Sequence, residues 1–406
     1  MSDPALPKSI ELDAMGQYYA HIISPDHPGQ FMLSAYLKKT VDPQVLQQAV
    51  NDIVKRLPFL SGRLEPKFFW YHHKFLPNPP QIVKMDDDGY AFTDYYNRNE
   101  RHVFRVLYGE KHVTLEAIHS VVDGRGLTKV MQTLLVRYFE LLGLTFNKDG
   151  YISCADEFQV EEWEDTYAKF YNPKKGKSGR TKRAVVKAYL QTPKESTPQH
   201  VVLKTYDLAE IKKTASLYGA TISEYIIAKI FLAISDERKK TGFNKPITAM
   251  VPTDCRTFFP TKSIRNFVDS ALVTMPETED FAEMISGIRS QYAKIDAEFT
   301  QKNINEFQNL KNKTRLLPRV LKKFVLNHMT YDEEKGMTTA FSNVGKINLP
   351  QEIEAELSHM AFIIDSGEEM PATYACASVG NTLTLAITLS MEENEFVRDV
   401  LERVGG

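Results

Sequence analysis

The sequence predicts an α/β protein with mixed sheets, built as two halves that each combine helices with strands. Three observations lead there. At 406 residues the chain exceeds the usual size of one core, so two units of about 150 to 200 residues are the default. Strand alternation and helical i, i+3, i+4 spacing recur on both sides of residue 172. Between 172 and 200 the composition turns to Pro, Gly, Ser and Lys, as in NPKKGKSGRTKRAVVK, and apolar periodicity stops until HVVLKTYDL. The boundaries that follow are a first half over 1–171, a crossover over 172–200 and a second half over 201–406.

Taken in order, FMLSAYL (31–37) reads as a strand, and Pro43 opens a helix carrying Val45, Ala49, Val50, Ile53, Val54 and Leu57 at helical spacing, ending near Pro58. The stretch 67–108 is rich in aromatics and turn residues. The runs HVFRVLY and HVTLEAI, joined by Gly109-Glu110-Lys111, form a hairpin. Leu127, Val130, Met131, Leu134, Tyr138, Leu141 and Leu142 then mark a helix packed on the sheet. In the second half, Thr221 and Glu224 form a capping box opening a helix over 222–235. Runs at 247–251, 267–275, 338–344 and 359–364 read as buried strands. ACASV and TLTLAITL flank a Gly380-Asn381 turn as a hairpin, and ENEFVRDVLERV closes the chain as a helix.

Composition narrows the function classes. Hydrophobic and charged fractions of 43% and 25% are those of an ordinary folded protein, and a net charge of −2 makes no case for nucleic-acid binding. Cys154, Cys255 and Cys376 form no CxxC pair, so neither a disulfide framework nor a zinc site is suggested, and a reducing, cytoplasmic setting fits. The N-terminal MSDPALPKSIELDAMGQYY lacks the basic start and apolar run of a secretory signal. ISEYIIAKIFLAI (222–234) is too short, and carries Glu224 and Lys229, so no membrane span is expected.

The stretch that points to chemistry is HVTLEAIHSVVDGRG (112–126). Val113, Leu115 and Ala117 give a strand one apolar face; His119 sits at its exit, followed by Asp123 and a turn bounded by Gly124 and Gly126, where glycine permits a sharp bend or positive φ. A histidine at a strand end backed by a carboxylate suits a general base and its support. Spacing alone is weak evidence, because ten histidines give about one chance His-x-x-x-Asp in a chain this long. A second one, His328 to Asp332, lacks the strand and the glycine, and His72-His73 meets Pro77 where the Asp would be.

HSVVDG at a strand exit ahead of a helix resembles the His-x-x-x-Asp-Gly motif of the CoA-dependent acyltransferase superfamily, which includes chloramphenicol acetyltransferase, plant BAHD acyltransferases, alcohol acetyltransferases, mycobacterial polyketide-associated acyltransferases and nonribosomal peptide condensation domains. LQQAVNDIVKRLPFLSGRL (46–64) looks like that family's first helix and its exit, MVPTDCRTFFPTKSIRNF (250–267) like its P-x-x-x-R … N-F segment, and FSNVGKINLP (341–350) like its S-N-x-G strand. The resemblance spans most of the chain. It implies two chloramphenicol-acetyltransferase-like halves with an active-site tunnel between them.

It also implies roles. His119 is the general base, with a structural strand-end histidine as the plain alternative. Asp123 pairs with Arg256 and supports the loop, unless it is a solvated turn residue; no third ligand makes a metal site with His119. Ser342 and Asn343 face the tunnel from the other side as oxyanion donors, and Asn266 fits either such a contact or a turn. The plant DFGWG motif is absent, which places the chain nearer the bacterial and alcohol-acetyltransferase branches. The activity implied is transfer of an acyl group to a hydroxyl or amine of a small-molecule acceptor. The donor is acyl-CoA as cosubstrate, with no permanently bound cofactor; the alternative donor is phosphopantetheine on an acyl or peptidyl carrier protein. No GxSxG or matched cysteine offers a covalent nucleophile. A non-catalytic binding module is the reading from a different class, and a monomer is expected. Lys174, Lys175, Lys177, Arg180, Lys182, Arg183 and Lys187 could meet CoA phosphates or an acidic carrier, or simply solvate the linker.

Overall fold

The computed structural model describes residues 7–24, 28–86, 90, 92, 95, 101–175, 199–242, 245–334, 336–366, 370–391, 393 and 395–406. In chain order these form β1 (Ser9–Glu11), α1 (Ala14–Ile22), β2 (Gln30–Leu37), α2 (Pro43–Arg56), β3 (Gly62–Pro66), β4 (Tyr71–Phe75), β5 (Val83–Lys84), β6 (Phe104–Tyr108), β7 (His112–Ile118), α3 (Gly124–Leu141) and α4 (Thr166–Phe170). There follow β8 (His200–Asp207), α5 (Leu208–Leu217), α6 (Ile222–Thr241), β9 (Ile247–Asp254), β10 (Val268–Met275), α7 (Phe281–Tyr292), α8 (Ala297–Lys313) and α9 (Arg319–Glu334). The remainder is β11 (Thr339–Lys346), α10 (Gln351–Glu356), β12 (Leu357–Ile364), β13 (Ala372–Val379), β14 (Thr382–Leu389) and α11 (Glu395–Gly405).

Two mixed sheets carry the fold. One has the order β12-β2-β7-β6-β5 and the other β10-β9-β11-β13-β14-β8, with β1, β4 and β3 in a third, smaller sheet. In the six-stranded sheet β11 runs parallel to both β9 and β13, while the remaining neighbours are antiparallel. In the five-stranded sheet β12 arrives from late in the sequence and pairs with β2, Ile364 opposite Phe31, so a strand of the second half completes the sheet of the first. Leu46, Ala49, Val50 and Ile53 of α2 and Leu127, Val130, Met131 and Leu134 of α3 are buried in one core with that sheet. Tyr225, Ile226, Ile230 and Phe231 of α6 and Val397 and Val400 of α11 are buried in the core of the other.

The periodic segments fold as read, and the departures have physical reasons. β7 is buried on both faces, not one, because Thr114 bonds Ser34 Oγ at 2.7 Å and Glu116 pairs with Arg105, which satisfies its polar side without water. The capping box at Thr221 and Glu224 is present, but α6 runs on to Thr241. Its charged end stays helical because Arg238 is buried and donates to the Lys245 and Pro246 carbonyls, and Gly242 closes the helix at φ 67°. The aromatic stretch after residue 67 contributes β4, where His73 is sealed and donates from Nε2 to the Phe59 carbonyl at 2.8 Å; burial pushes its pKa down to about 3. Residues 281–334 form three helices that apolar periodicity did not announce. The buried stripe of α8 is Thr300, Gln301, Ile304, Asn305 and Gln308, mostly polar side chains at helical spacing.

The exit of α2 matters for the site. Arg56 and Glu162 form a two-pronged ion pair, both bonds 2.7 Å and both side chains buried, and the Glu162 carbonyl accepts the Ile264 N–H at 2.9 Å. This chain of contacts holds the segment 264–267 against the first sheet. Glu162→Ala leaves Arg56 as an uncompensated buried charge, and urea unfolding is expected to show a loss of about 3 to 5 kcal/mol. A midpoint equal to that of the wild type would mean that the pair carries no such weight.

Candidate active site

The extended chain of β7 delivers His119 at its exit, where its N–H donates to the Gly29 carbonyl at 2.8 Å and prolongs the pairing with β2 by one residue. The imidazole stacks on Tyr19 of α1 with ring centroids 4.1 Å apart and an interplanar angle of 14°, and Phe31 lies 5.0 Å away on another side. Nδ1 lies 3.1 Å from Asn266 Oδ1. With an amide oxygen at Nδ1, the proton of the neutral ring sits there and Nε2 keeps its lone pair. Nε2 has no hydrogen-bond partner among the described residues. Burial lowers the imidazole pKa below its usual 6.5, and the charge of Asp123 and the Asn266 hydrogen bond offset this only in part.

Asp123 caps α3. Its Oδ1 accepts the Gly126 N–H at 2.8 Å, while Oδ2 accepts the Phe267 N–H at 2.7 Å and Arg256 Nη1 at 2.9 Å. Arg256 spends its other donors on Asp254 Oδ1, the Arg265 carbonyl and the Ser263 carbonyl. Burial alone would weaken its charge, but Asp123 and Asp254 overcompensate and hold its pKa above the ordinary arginine value. The pair therefore ties the start of α3 to the segment that carries Asn266, and through Asn266 to His119. Both oxygens of Asp123 are thus engaged in holding the loop.

Gly124 and Gly126 are neither at positive φ nor in a turn, contrary to the sequence reading; they open α3. They are needed for close approach. A Cβ on Gly126 would sit 2.0 Å from the Ile264 carbonyl oxygen, and one on Gly124 would sit 3.1 Å from both Phe362 and Val344.

A cavity of about 340 Å³ opens beside His119. Its walls come from both parts of the chain, among them Tyr18, Met250, Val268, Ser342, Phe362 and Asp365. That volume lies at the low end for sites that hold small organic ligands.

No family model and no curated protein sequence matches the chain. Solved structures do. Polyketide synthase associated protein 5 from Mycobacterium tuberculosis aligns with a TM-score of 0.62 at 14% identity, covering 97% of this chain and 97% of that one. TRI3 trichothecene 15-O-acetyltransferase from Fusarium sporotrichioides aligns at 0.61 and 12% identity, covering 100% and 95%. F. graminearum TRI101 complexed with coenzyme A and T-2 mycotoxin aligns at 0.59 and 12% identity, covering 96% of each chain. The chain has the fold of the CoA-dependent acyltransferase superfamily. At such identities the likeness fixes the architecture and leaves the chemistry to the site's own geometry.

Within this acyltransferase fold, Ser342 and Asn343 lie on β11 and both line the cavity, but they differ in what they can offer. Asn343 donates from Nδ2 to Ser223 Oγ at 3.0 Å and accepts the Gly345 N–H at 2.8 Å, which shapes the irregular end of β11 where Gly345 has φ 76°. Ser342 Oγ has no hydrogen-bond partner among the described residues, so its hydroxyl is available. Asn266 is fully buried and holds the His119 ring, so it is more than a turn residue. Of the basic run, only Lys174 and Lys175 fall among the described residues, and both are exposed. His328 lies on α9, and the side chain of Asp332 is outside the described set.

Two site residues escaped the sequence reading. Tyr19 sits on α1, whose signal was Asp13 as N-cap ahead of Ala14, Met15, Tyr18, Tyr19 and Ile22; Gly16 lets that helix close on the His119 loop, since a Cβ there would lie 2.4 Å from the Ser120 carbonyl. Asp365 follows β12, its Oδ2 accepting the Gly29 N–H at 3.1 Å, and burial in the cavity wall pushes its pKa up to about 7. No local pattern marks it.

Asp123→Asn is expected to cost about 3 to 5 kcal/mol, since it leaves the Arg256 guanidinium buried without its countercharge. Gly126→Ala should be more damaging than Gly124→Ala, because it drives a methyl into backbone whereas the latter meets side chains that can shift. The ordering of thermal midpoints for these two variants checks the close approach directly.

Proposed function

We propose that the protein transfers an acyl group from a thioester, acyl-CoA, to the hydroxyl or amine of a small acceptor, with His119 as general base and no covalent enzyme intermediate. The observation that carries this reading is a histidine whose Nδ1 is engaged, whose Nε2 has no partner among the described residues, and whose ring, its pKa lowered by burial, borders a cavity with a spare hydroxyl on its wall. That is the arrangement needed to take a proton from one reactant while a second reactant's carbonyl gains charge.

The steps follow. The acceptor donates its O–H or N–H to Nε2, which removes the proton as the acceptor atom bonds to the thioester carbon. The carbonyl oxygen becomes an oxyanion, which the Ser342 hydroxyl can meet as donor. Collapse of the tetrahedral species breaks the C–S bond, and the proton held on Nε2 passes to the leaving sulfur, releasing free thiol and acylated acceptor. The cysteines favour this direct route: Cys255 and Cys376 are buried, and burial raises their pKa values and pushes that of Cys154 up to about 11, so none supplies a thiolate near neutral pH. F. graminearum TRI101, a protein of the same fold, is complexed with coenzyme A, the thiol that the proposed donor would release.

Release of thiol from a panel of acyl-CoAs, with alcohols and amines as acceptors, tests the reading. His119→Ala should lower turnover by about 10² to 10⁴ with little change in donor binding, whereas His328→Ala should change little. Near wild-type turnover in His119→Ala would remove the mechanism. Ser342→Ala is expected to lower kcat by about 10² or somewhat more and to leave KM for the donor nearly unchanged.

The pH dependence has a definite sign. His119 must be unprotonated, and its pKa is shifted down, so kcat/KM should stay flat through neutrality and fall on the acid side at a pH below 6.5. An acid limb centred above 7 would show that some other group titrates.

A further inference from the structure

An apolar surface lies apart from the cavity, at the junction of the β3–β4 loop and α9. Phe68 is 72% exposed, Leu316 78%, Val320 73% and Phe324 77%. Residues this exposed project from the surface; they do not line a groove. They come from distant parts of the sequence and are held together: the Phe68 carbonyl accepts the Arg319 N–H at 3.0 Å, the Phe69 carbonyl accepts Lys322 Nζ at 2.7 Å, and the Lys322 ammonium sits 2.9 Å over the Trp70 ring. Arg319 also donates to the Tyr71 hydroxyl at 2.8 Å. The loop is thus fixed in a position that exposes its phenylalanines near the start of the helix that carries Val320 and Phe324. A cluster of large exposed apolar side chains of this kind marks an interaction site.

Basic residues predominate in the chain beside it, although Lys67 lies 3.9 Å from Glu65 and Lys311 pairs with Glu11 at 2.9 Å. From 311 to 325 the sequence reads KNKTRLLPRVLKKFV, with basic residues and no acidic one, and Lys313 and Arg315 are exposed while Lys323 is half-buried. Lys67, also exposed, precedes the two phenylalanines.

We propose that this surface docks the protein on an anionic phospholipid bilayer. Phe68, Leu316, Val320 and Phe324 enter the headgroup and upper acyl region, and Lys313, Arg315 and Lys323 meet lipid phosphates and carboxylates. A bilayer suits separate projecting side chains because it deforms around each, whereas a folded partner must present a hole for each. The placement is also useful: α9 packs on α1 and continues the chain from α8, and these two helices line the cavity through Met15, Tyr18, Phe307 and Leu310. Docking would bring that wall of the cavity next to the lipid. The inference stands on surface chemistry and is independent of the acyl-transfer reading.

Flotation of the full chain with vesicles tests it without any activity measurement. Binding is expected to vesicles of phosphatidylcholine mixed with phosphatidylserine, to be weak with phosphatidylcholine alone, and to fall as salt is raised. The double variant Phe68→Ser, Phe324→Ser should lose at least about tenfold in affinity, because two large apolar side chains no longer enter the lipid. Lys313→Glu with Arg315→Glu should weaken binding by about fivefold or more per charge removed. All four positions are exposed, so melting temperatures should match the wild type; a variant that melts lower is replaced by Val320→Ser. Wild-type protein that stays unbound with anionic vesicles overturns the proposal, as does vesicle binding unchanged in the double variant. Sedimentation velocity supplies the competing outcome. A wild-type dimer that becomes monomer in Phe324→Ser, with no vesicle binding, would assign the surface to a second copy of the chain.

Discussion

The Asp123–Arg256 pair is the contact on which the site depends. Burying two charges is costly, and the cost is offset only when the remaining lone pairs and protons are satisfied as well. Here Asp123 accepts three donors and Arg256 gives to a carboxylate pair and two carbonyls. So complete a network admits one register between the start of α3 and the segment 254–267. A shift of either partner would strand a charge, so the pair acts as a geometric lock, and the Phe267 N–H and the Asn266 amide inherit their positions from it.

The His119 ring is set by the same lock. Asp123 is a negative charge near His119 and by itself favours an imidazolium. Desolvation, from the Tyr19 face, Phe31 and the cavity wall, is the larger effect, and it favours the neutral ring. As the base of the proposed reaction, a ring that is unprotonated near neutral pH serves better than one that is mostly protonated. The aspartate supports the loop without raising the base's affinity for protons far enough to disable it.

The cavity exists only in the assembled fold. β12 crosses to pair with β2, and Phe362 on it touches the space a Cβ on Gly124 would fill, so this late strand forms part of the wall beside the His119 loop. Its neighbours on that wall come from α1, β9, β10, α8 and β11. Contacts of such sequence separation carry a loop-closure cost, and the wall is complete only when both sheets are in place.

What the sequence determined was local. β7 and its exit at His119, the helix after Asp123, the Gly380 hairpin and the Thr221 cap all follow from periodicity and turn chemistry, which act within a few residues. The order of motifs also pointed to the acyltransferase fold. The tertiary structure decided the rest. Tyr19 and Asn266 meet His119 because α1 and the segment 264–267 dock there, and no spacing along the chain encodes that meeting. Ser342 and Asn343 are adjacent letters with the same expected task, yet one amide is consumed by Ser223 and Gly345 while the neighbouring hydroxyl is left available. α8 was hidden because its buried stripe is polar, and Gly126 owes its place to the approach of the Ile264 carbonyl, not to a turn. In each case the deciding contact joins residues far apart in sequence, and only packing sets the distance between them.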